Sequence, residues 1–215
     1  MAELHHITTQ KTARIFTFGN LTPKTKNIWL VAHGYGFSAE YFIKKFEELD
    51  PNTNFVIVPE ALNRFYLKDL NGRVGACWMT TIERENEIED YISYLDKVYE
   101  TLILQTKKKI TALGFSQGAA TIGRWAMKTP NRLNNIVFWG GSIPDECLAD
   151  ISKLNVLHPY LLVGDEDEFI TSEKREMFMK TLANNNVIFS HIFYKGGHAI
   201  LTEPLMQLSR ELTEP

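Results

Sequence analysis

The pentapeptide Gly114-Phe115-Ser116-Gln117-Gly118 places a serine between two glycines, directly after a strongly apolar segment. Between a strand and a helix, such glycines remove the side chains that would collide, and the strained turn holds the serine Oγ above the sheet. The chemistry predicted is nucleophilic attack by Ser116 on a carbonyl carbon. Taken alone, the five residues fit a plain glycine-rich strand–helix turn about equally well.

A serine nucleophile needs a base and an acid that orients the base, here in the chain order Ser, acid, His. His198 follows the last predicted strand within Gly196-Gly197-His198 and is the candidate base. The acid should follow the preceding predicted strand, where the run Gly164-Asp165-Glu166-Asp167-Glu168 offers four carboxylates. Spacing does not choose among the four. A specific metal site is not expected there, because the run lacks the sixth-position glycine of an EF-hand loop.

The stretch His33-Gly34-Tyr35-Gly36 follows the first buried strand that the sequence predicts. This chemistry requires a second oxyanion donor at that place, besides the N–H of the residue after the nucleophile. The backbone N–H groups of Tyr35 and Gln117 are the candidates. Backbone donors suit the task because they are fixed before charge develops on the tetrahedral intermediate.

The same turn supports a rival hypothesis, an NAD-type oxidoreductase. Gly34-x-Gly36-x-x-Ala39 follows a strand and opens a helix, and Glu60 ends the next predicted strand, where a ribose-binding acid belongs. His33 before the first glycine and Pro59 beside Glu60 weigh against a dinucleotide site, as do three strand ends that supply a triad. A noncatalytic binding protein on the same scaffold would be expected to have lost the serine, the acid or the histidine, and none is lost.

Predicted strands and helices alternate along the chain, which indicates right-handed crossovers and a mostly parallel, doubly wound α/β sheet with helices on both faces. Ligands of such sheets bind beyond the carboxyl ends of the strands. The apolar runs predict strands at Asn27–Ala32, Phe55–Val58, Ile110–Leu113, Ile136–Trp139, Tyr160–Val163 and Val187–Tyr194. Helices are predicted over Ser38–Leu49, Thr80–Gln105, Gln117–Lys128 and Ser172–Ala183, with a short one from Pro144 and one at the C terminus.

Three further segments have their own signals. Leu4–Thr9 and Ala13–Phe18 predict two short strands, paired antiparallel at an edge. The stretch from Pro59 to Thr80 is predicted as a long irregular loop, which in a compact domain is usually functional. Thr80 and Glu83 predict a capping box at the start of the longest helix.

The composition limits the classes of protein. The 215 residues are 44% hydrophobic and 23% charged, enough for one large folded domain over 1–215. The net charge of −3 is too nearly neutral for a nucleic-acid-binding protein. No apolar run approaches the ~18 residues of a membrane span, and no secretory signal is visible, so we expect no stable membrane insertion and a cytoplasmic location. Cys77 and Cys147 lack metal-ligand spacing and are expected to be inert.

Four motifs resemble the α/β-hydrolase superfamily, specifically the phospholipase/carboxylesterase family that includes acyl-protein thioesterases and small bacterial carboxylesterases. They are Leu30–Gly36, Gly114–Gly118, Gly164–Asp167 and Gly197-His198. The resemblance runs from about Ile28 to the C terminus. It implies an α/β-hydrolase fold, cofactor-independent hydrolysis of esters or thioesters through an acyl-enzyme, and Asp167 as the acid, because the family's acid stands third after the glycine.

The chain between Trp139 and Tyr160 has room only for a short helix, so no large lid is expected and the site should be open. The substrate-binding walls are expected to include apolar residues at strand ends: Phe37, Trp78, Trp139, Phe169 and Ile170. Several such residues favour an apolar acyl or aromatic group. We therefore predict a small-molecule ester or thioester substrate, with a preference for short or medium acyl esters.

Overall fold

A computed structural model describes residues 1–104 and 106–213. The strands are β1 Ile15–Phe18, β2 Asn27–Ala32, β3 Asn54–Pro59, β4 Asn63–Tyr66, β5 Val74–Cys77, β6 Lys109–Phe115, β7 Asn135–Trp139, β8 His158–Gly164 and β9 Ser190–Tyr194. The helices are α1 Ala39–Phe42, α2 Arg84–Leu102, α3 Gln117–Lys128, α4 Ser172–Asn184 and α5 Thr202–Thr213. Short 3-10 segments cover Ile43–Phe46, Pro130–Arg132 and Asp145–Val156.

Seven of these strands form one sheet in the order β1-β3-β2-β6-β7-β8-β9, and β4 and β5 form a separate hairpin. Within the sheet β1 runs antiparallel to β3, and every other neighbouring pair is parallel. The prediction of a mostly parallel, doubly wound sheet is confirmed. Strands β2 and β3 are buried along their whole length because helices cover both faces of the sheet.

Two apolar cores lie on opposite faces of the sheet. On one face α2, α3 and α4 pack on alternate strand residues such as Leu30 and Phe138. On the other face α1, the 3-10 segment after it and α5 pack on the intervening residues, such as Trp29 and Val137. This alternation explains why each strand reads as a continuous apolar run.

The strand register brings the candidate site residues to one edge of the sheet. Ala32 pairs with Gly114, and Phe115 pairs with Trp139. Gly164 pairs with Tyr194, near the chain that leads to His198. The chain passes from β2 to β3 on one side and from β6 to β7 on the other, so the β2 and β6 loops flank a topological switch point, where such sheets bind ligands.

The N-terminal prediction was partly wrong. Leu4–Thr9 forms no strand, and β1 pairs with β3 instead. Leu4 and Ile7 are 71% and 90% exposed, so this segment buries no apolar face that would stabilise a further edge strand.

Other boundaries also shift. The stretch predicted as an irregular loop contains the β4–β5 hairpin, whose register pairs Asn63 with Cys77. The helix predicted over Ser38–Leu49 is divided between α1 and a 3-10 segment, and the one from Pro144 is a 3-10 segment throughout. Thr80 and Glu83 form no capping box, because the Thr80 N–H donates to the Glu87 carboxylate. The last strand begins at Ser190, and the end predicted at Gln105 lies outside the described residues.

Candidate active site

Ser116 occupies a strained turn between β6 and α3. Its φ is 55° and its ψ is −118°, a conformation that side-chain-bearing residues rarely adopt. A Cβ on Gly114 would lie 2.2 Å from the carbonyl oxygen of Gly118, so the turn closes only with glycine there. Ser116 donates its backbone N–H to the carbonyl of Trp139 at 3.0 Å. The strained geometry and the role of the flanking glycines were both predicted from the pentapeptide.

Asp167 and His198 form a buried pair. Oδ2 of Asp167 lies 2.8 Å from Nδ1 of His198, and the two side chains are 0% and 15% exposed. Oδ1 of Asp167 accepts the backbone N–H groups of Phe169 and Ile170, each at 2.9 Å. Both carboxylate oxygens of Asp167 thus face hydrogen-bond donors. The carboxylate therefore fixes the Nδ1–H tautomer of His198 and leaves Nε2 as an acceptor.

Spacing left the four carboxylates open and the family resemblance implied Asp167; the structure shows how the four differ. Asp165 is exposed, and its Oδ1 accepts the N–H of Gly196 at 2.9 Å, so it shapes the turn before His198. Glu166 and Glu168 are exposed as well. Asp167 is the buried member of the run and the one that contacts the histidine.

Aromatic rings place the His198 imidazole next to the serine turn. Its ring centroid lies 4.7 Å from that of Phe115, the residue before Ser116, and 4.6 Å from that of Phe169. The imidazole is therefore packed between the nucleophile turn and the loop of the acid. This packing orders the ring independently of its bond to Asp167.

The glycine pair after β7 is a site feature that sequence reasoning missed. A Cβ on Gly140 would lie 3.0 Å from Cε1 of His198, and one on Gly141 would lie 2.8 Å from the Ser116 carbonyl oxygen. The pair thus lets the histidine and the serine turn approach from two sides. The available signal was two consecutive glycines at the end of a buried strand.

The Tyr35 amide N–H points away from the Gly34 carbonyl of the same peptide. The Gly34 carbonyl accepts Nδ1–H of His33 at 2.8 Å, and in a trans peptide the Tyr35 N–H points the opposite way. This N–H has no acceptor within residues 1–104 and 106–213. A Cβ on Gly34 would lie 3.3 Å from the Cβ of Ser116, so the loop lies against the serine. Gln117 is the first residue of α3, where a helix leaves its N–H groups free.

His33 holds this loop as a neutral, buried residue. Burial lowers the pKa of His33, and its Nε2 accepts the N–H of Ala61 at 3.0 Å. Both ring nitrogens are therefore used in structural hydrogen bonds. His33 therefore fixes the loop that carries Tyr35, the candidate oxyanion loop of residues 33–36.

The predicted substrate walls divide into two groups. Phe37 and Phe169 are 40% and 56% exposed beside the site, and Ile170 is half-buried. Trp78 and Trp139 lie in the core at 1% and 0% exposure, so the prediction that they line the pocket was wrong. Buried indoles need hydrogen-bond acceptors; the N–H of Trp78 donates to the His33 carbonyl at 2.8 Å, and that of Trp139 donates to Oη of Tyr194 at 2.7 Å.

The contacts of Glu60 argue against a dinucleotide-binding site. Its carboxylate is 3% exposed and accepts the Ser38 hydroxyl and the Ala39 N–H, both at 3.3 Å. Arg14 lies 3.6 Å from the same carboxylate. The start of α1 is already occupied by an acid of the protein, which removes the place where a cofactor diphosphate would bind.

Two other features of the sequence have structural outcomes. Both cysteines are buried, and burial raises the pKa of Cys147 to about 11. Among the described residues, no group of three or more His, Cys, Asp or Glu side chains is arranged to hold a metal ion. Within the same ranges, no helix combines the length and the apolar character needed to cross a membrane.

The profile of the Phospholipase/Carboxylesterase family matches residues 19–214. The chain belongs to this family. It is therefore an α/β-hydrolase and an enzyme of the carboxylic ester hydrolase class.

Solved structures with 25% identity or less show the same fold. Esterase PE8 superposes with a TM-score of 0.70 at 18% identity, over 94% of this chain and 100% of its own. Acyl-protein thioesterase 2 of Zea mays has a TM-score of 0.70 at 19% identity, over 94% and 98%. The monoacylglycerol lipase of Paleococcus ferrophilus has a TM-score of 0.64 at 15% identity, over 94% and 99%. No curated protein sequence matches the chain.

Proposed function

We propose that this hydrolase cleaves carboxylic esters or thioesters through a Ser116-His198-Asp167 triad. Ser116 Oγ attacks the carbonyl carbon while Nε2 of His198 takes its proton, and the Tyr35 and Gln117 amides bind the oxyanion. His198 then gives the proton to the leaving alkoxide or thiolate, which leaves an acyl-enzyme. Water, deprotonated by His198, releases the acid and restores the serine.

The packing of the His198 ring carries this proposal. Asp167 holds Nδ1, while Phe115 brings the same ring against the residue that precedes Ser116. Three segments far apart in sequence thus meet at one imidazole, and its Nε2, which has no hydrogen-bond partner in residues 1–104 and 106–213, can act as a base. A histidine with a structural role only would be expected to use both ring nitrogens, as His33 does.

A cavity beside the site supports an apolar acyl group as part of the substrate. It measures about 370 Å³ and lies between the loop after β7 and α4. Leu161 and Phe178 are buried in its wall, with Ile143, Leu148 and Ile170 around them. Gly141 lies beside the Ser116 backbone, and the Ile170 N–H donates to Asp167. Both residues line the cavity, so it lies next to the segments that carry Ser116 and Asp167. The substrate class is therefore a small-molecule ester or thioester with an apolar acyl group.

A fluorophosphonate probe tests the mechanism, because it reacts with serines that are activated as nucleophiles. Wild-type protein should be labelled and should hydrolyse p-nitrophenyl acetate, and Ser116→Ala should do neither. Wild-type protein that resists the probe and binds NAD saturably would overturn the proposal in favour of the oxidoreductase hypothesis. Labelling that persists in Ser116→Ala would place the nucleophile elsewhere.

A further inference from the structure

The segment after β5 bonds to both backbone segments that carry the proposed oxyanion donors. The indole N–H of Trp78 donates to the carbonyl of His33 at 2.8 Å. The backbone N–H of Trp78 donates to Oε1 of Gln117 at 3.0 Å. One residue therefore connects the loop of the Tyr35 amide to the residue that supplies the other amide.

The Gln117 side chain is held at both ends of its amide. Oε1 accepts from Trp78, and Nε2 donates to the carbonyl of Met79 at 2.9 Å. The two bonds fix the side chain against the 78–79 backbone. The Gln117 backbone N–H, at the start of α3, is thereby fixed relative to the same segment.

The far end of the oxyanion loop is bonded to β5 as well. Gly36 donates its N–H to the carbonyl of Ala76 at 2.9 Å, and Ala76 donates to the carbonyl of Phe37 at 3.0 Å. Tyr35 thus lies between two anchored positions, His33 on one side and Gly36 on the other. The chain from Ala76 to Met79 holds both sides of the loop.

We propose that Trp78 is a positioning residue that sets the separation of the Tyr35 and Gln117 amides. The proposal rests on the hydrolase function proposed above. Trp78 is 1% exposed and does not reach substrate, so it acts through the backbone it holds. Because the oxyanion exists only in the tetrahedral state, a loss of this spacing weakens transition-state binding and leaves substrate binding intact.

Trp78→Phe is the direct test. Phenylalanine keeps an aromatic ring against His33, whose centroid lies 5.3 Å from that of Trp78, and removes the indole N–H. We expect kcat to fall by ~10- to 100-fold while KM changes by less than about 2-fold, since misplaced donors cost transition-state stabilisation. The inhibition constant of a trifluoromethyl ketone, whose serine adduct carries an oxyanion, should rise by a similar factor.

Trp125→Phe is the matched control. Trp125 is also fully buried, and its indole N–H donates to Oδ1 of Asp96 at 3.0 Å, with no bond from this N–H to the oxyanion loop. The control loses the same kind of hydrogen bond and a comparable part of the core. Its kcat should stay within about 2-fold of wild type even if its melting temperature falls.

Gln117→Leu provides a second variant if Trp78→Phe folds poorly. It keeps the backbone amide and removes both side-chain hydrogen bonds to the 78–79 segment. We expect a similar loss of kcat, and the double variant should lose much less than the product of the single losses, because both changes release one segment.

Three experimental results would overturn the positioning role of Trp78. A folded Trp78→Phe or Gln117→Leu with unchanged kcat overturns the positioning role. An equal loss of kcat in Trp125→Phe also overturns it, because the effect is then general destabilisation. Absence of Ser116-dependent hydrolysis in the wild type overturns the proposed function, and the positioning role with it.

Discussion

Asp165 and Asp167 stand two positions apart, yet they carry different tasks in the structure. Asp167 is buried against Nδ1 of His198, whereas Asp165 is exposed and holds the N–H of Gly196. An acid that orients the base stabilises the imidazolium of the transition state, and a turn-forming acid does not. The two side chains therefore allow a matched comparison within one loop.

Asp167→Asn should lower kcat by ~10⁴, because the amide selects the wrong histidine tautomer. Asp165→Asn should lose less than about 10-fold, since an amide oxygen can still accept from Gly196. Rates on p-nitrophenyl acetate measure both, with circular dichroism to verify folding. If Asp165→Asn were the variant with the large loss of kcat, the assignment of the acid would be wrong. If kcat fell by less than tenfold in both variants, the triad would have no essential acid.

His33 gives the stability of the protein a pH dependence. Burial holds its pKa below the ordinary value of 6.5, so at acidic pH the unfolded chain binds a proton that the folded protein does not. Stability should therefore decline as pH falls below 6.5 and be unaffected by this group above it. His33→Asn, which can still donate to the Gly34 carbonyl, should show a weaker decline. Urea unfolding of both proteins at about pH 7.5 and about pH 5.5 measures how much the free energy of unfolding changes between the two pH values. An equal change in wild type and in His33→Asn would contradict the prediction.

At the scale of elements, if the cavity between α4 and the loop after β7 binds the acyl group, as proposed above, its size limits which acyl groups fit. The cavity has an apolar wall with charged residues such as Asp145 and Lys174 beside it, and its volume is only about 370 Å³. An acyl chain that fills it gains the burial of its methylene groups, and a longer chain must leave atoms in water. Preference for short or medium acyl esters follows from this limit.

Leu148→Trp should narrow the cavity and shift that preference. We expect the rate on p-nitrophenyl octanoate to fall at least several-fold, while the rate on the acetate stays within about 2-fold. Ile188→Trp is the control, because Ile188 is 78% exposed and does not line the cavity. Equal rates on octanoate for the two variants would show that the acyl group binds elsewhere.

At the scale of the whole molecule, no large cover lies over the candidate site. Between β7 and β8 the chain forms only the 3-10 segment Asp145–Val156. The exposed fractions of Tyr35 and Phe169, 59% and 56%, show that the site is open to solvent. A hydrolase with an open site does not need a lipid surface to displace a lid.

Hydrolysis of p-nitrophenyl butyrate should therefore increase smoothly with substrate concentration through the solubility limit. Activation at an interface requires a closed state that the interface opens, and this fold shows none among the described residues. Initial rates above and below the solubility limit measure this. A sharp increase where substrate begins to aggregate would contradict the prediction.

Local patterns in the amino-acid sequence were sufficient to predict the parallel sheet, the strained serine turn and a candidate base. These features depend on local patterns: a strand covered on both faces must be continuously apolar, and a tight strand–helix turn needs Gly114 and Gly118. The chain order of serine, acid and histidine at the ends of three strands then pointed to His198 as the candidate base. No tertiary contact was needed for these conclusions.

The family resemblance implied Asp167 as the acid, but its contact with His198 and the hydrogen bonds of the tryptophans appear only in the folded structure. The bond between Asp167 and His198 joins positions 31 apart, and those of Trp78 to Gln117 and His33 join positions 39 and 45 apart. The spacing of the four neighbouring carboxylates does not distinguish them, whereas the packing of the loop buries only one of the four. Similarly, a tryptophan at a strand end can line a pocket or lie buried in the core. Which of the two occurs depends on whether the fold brings a hydrogen-bond acceptor to its indole N–H.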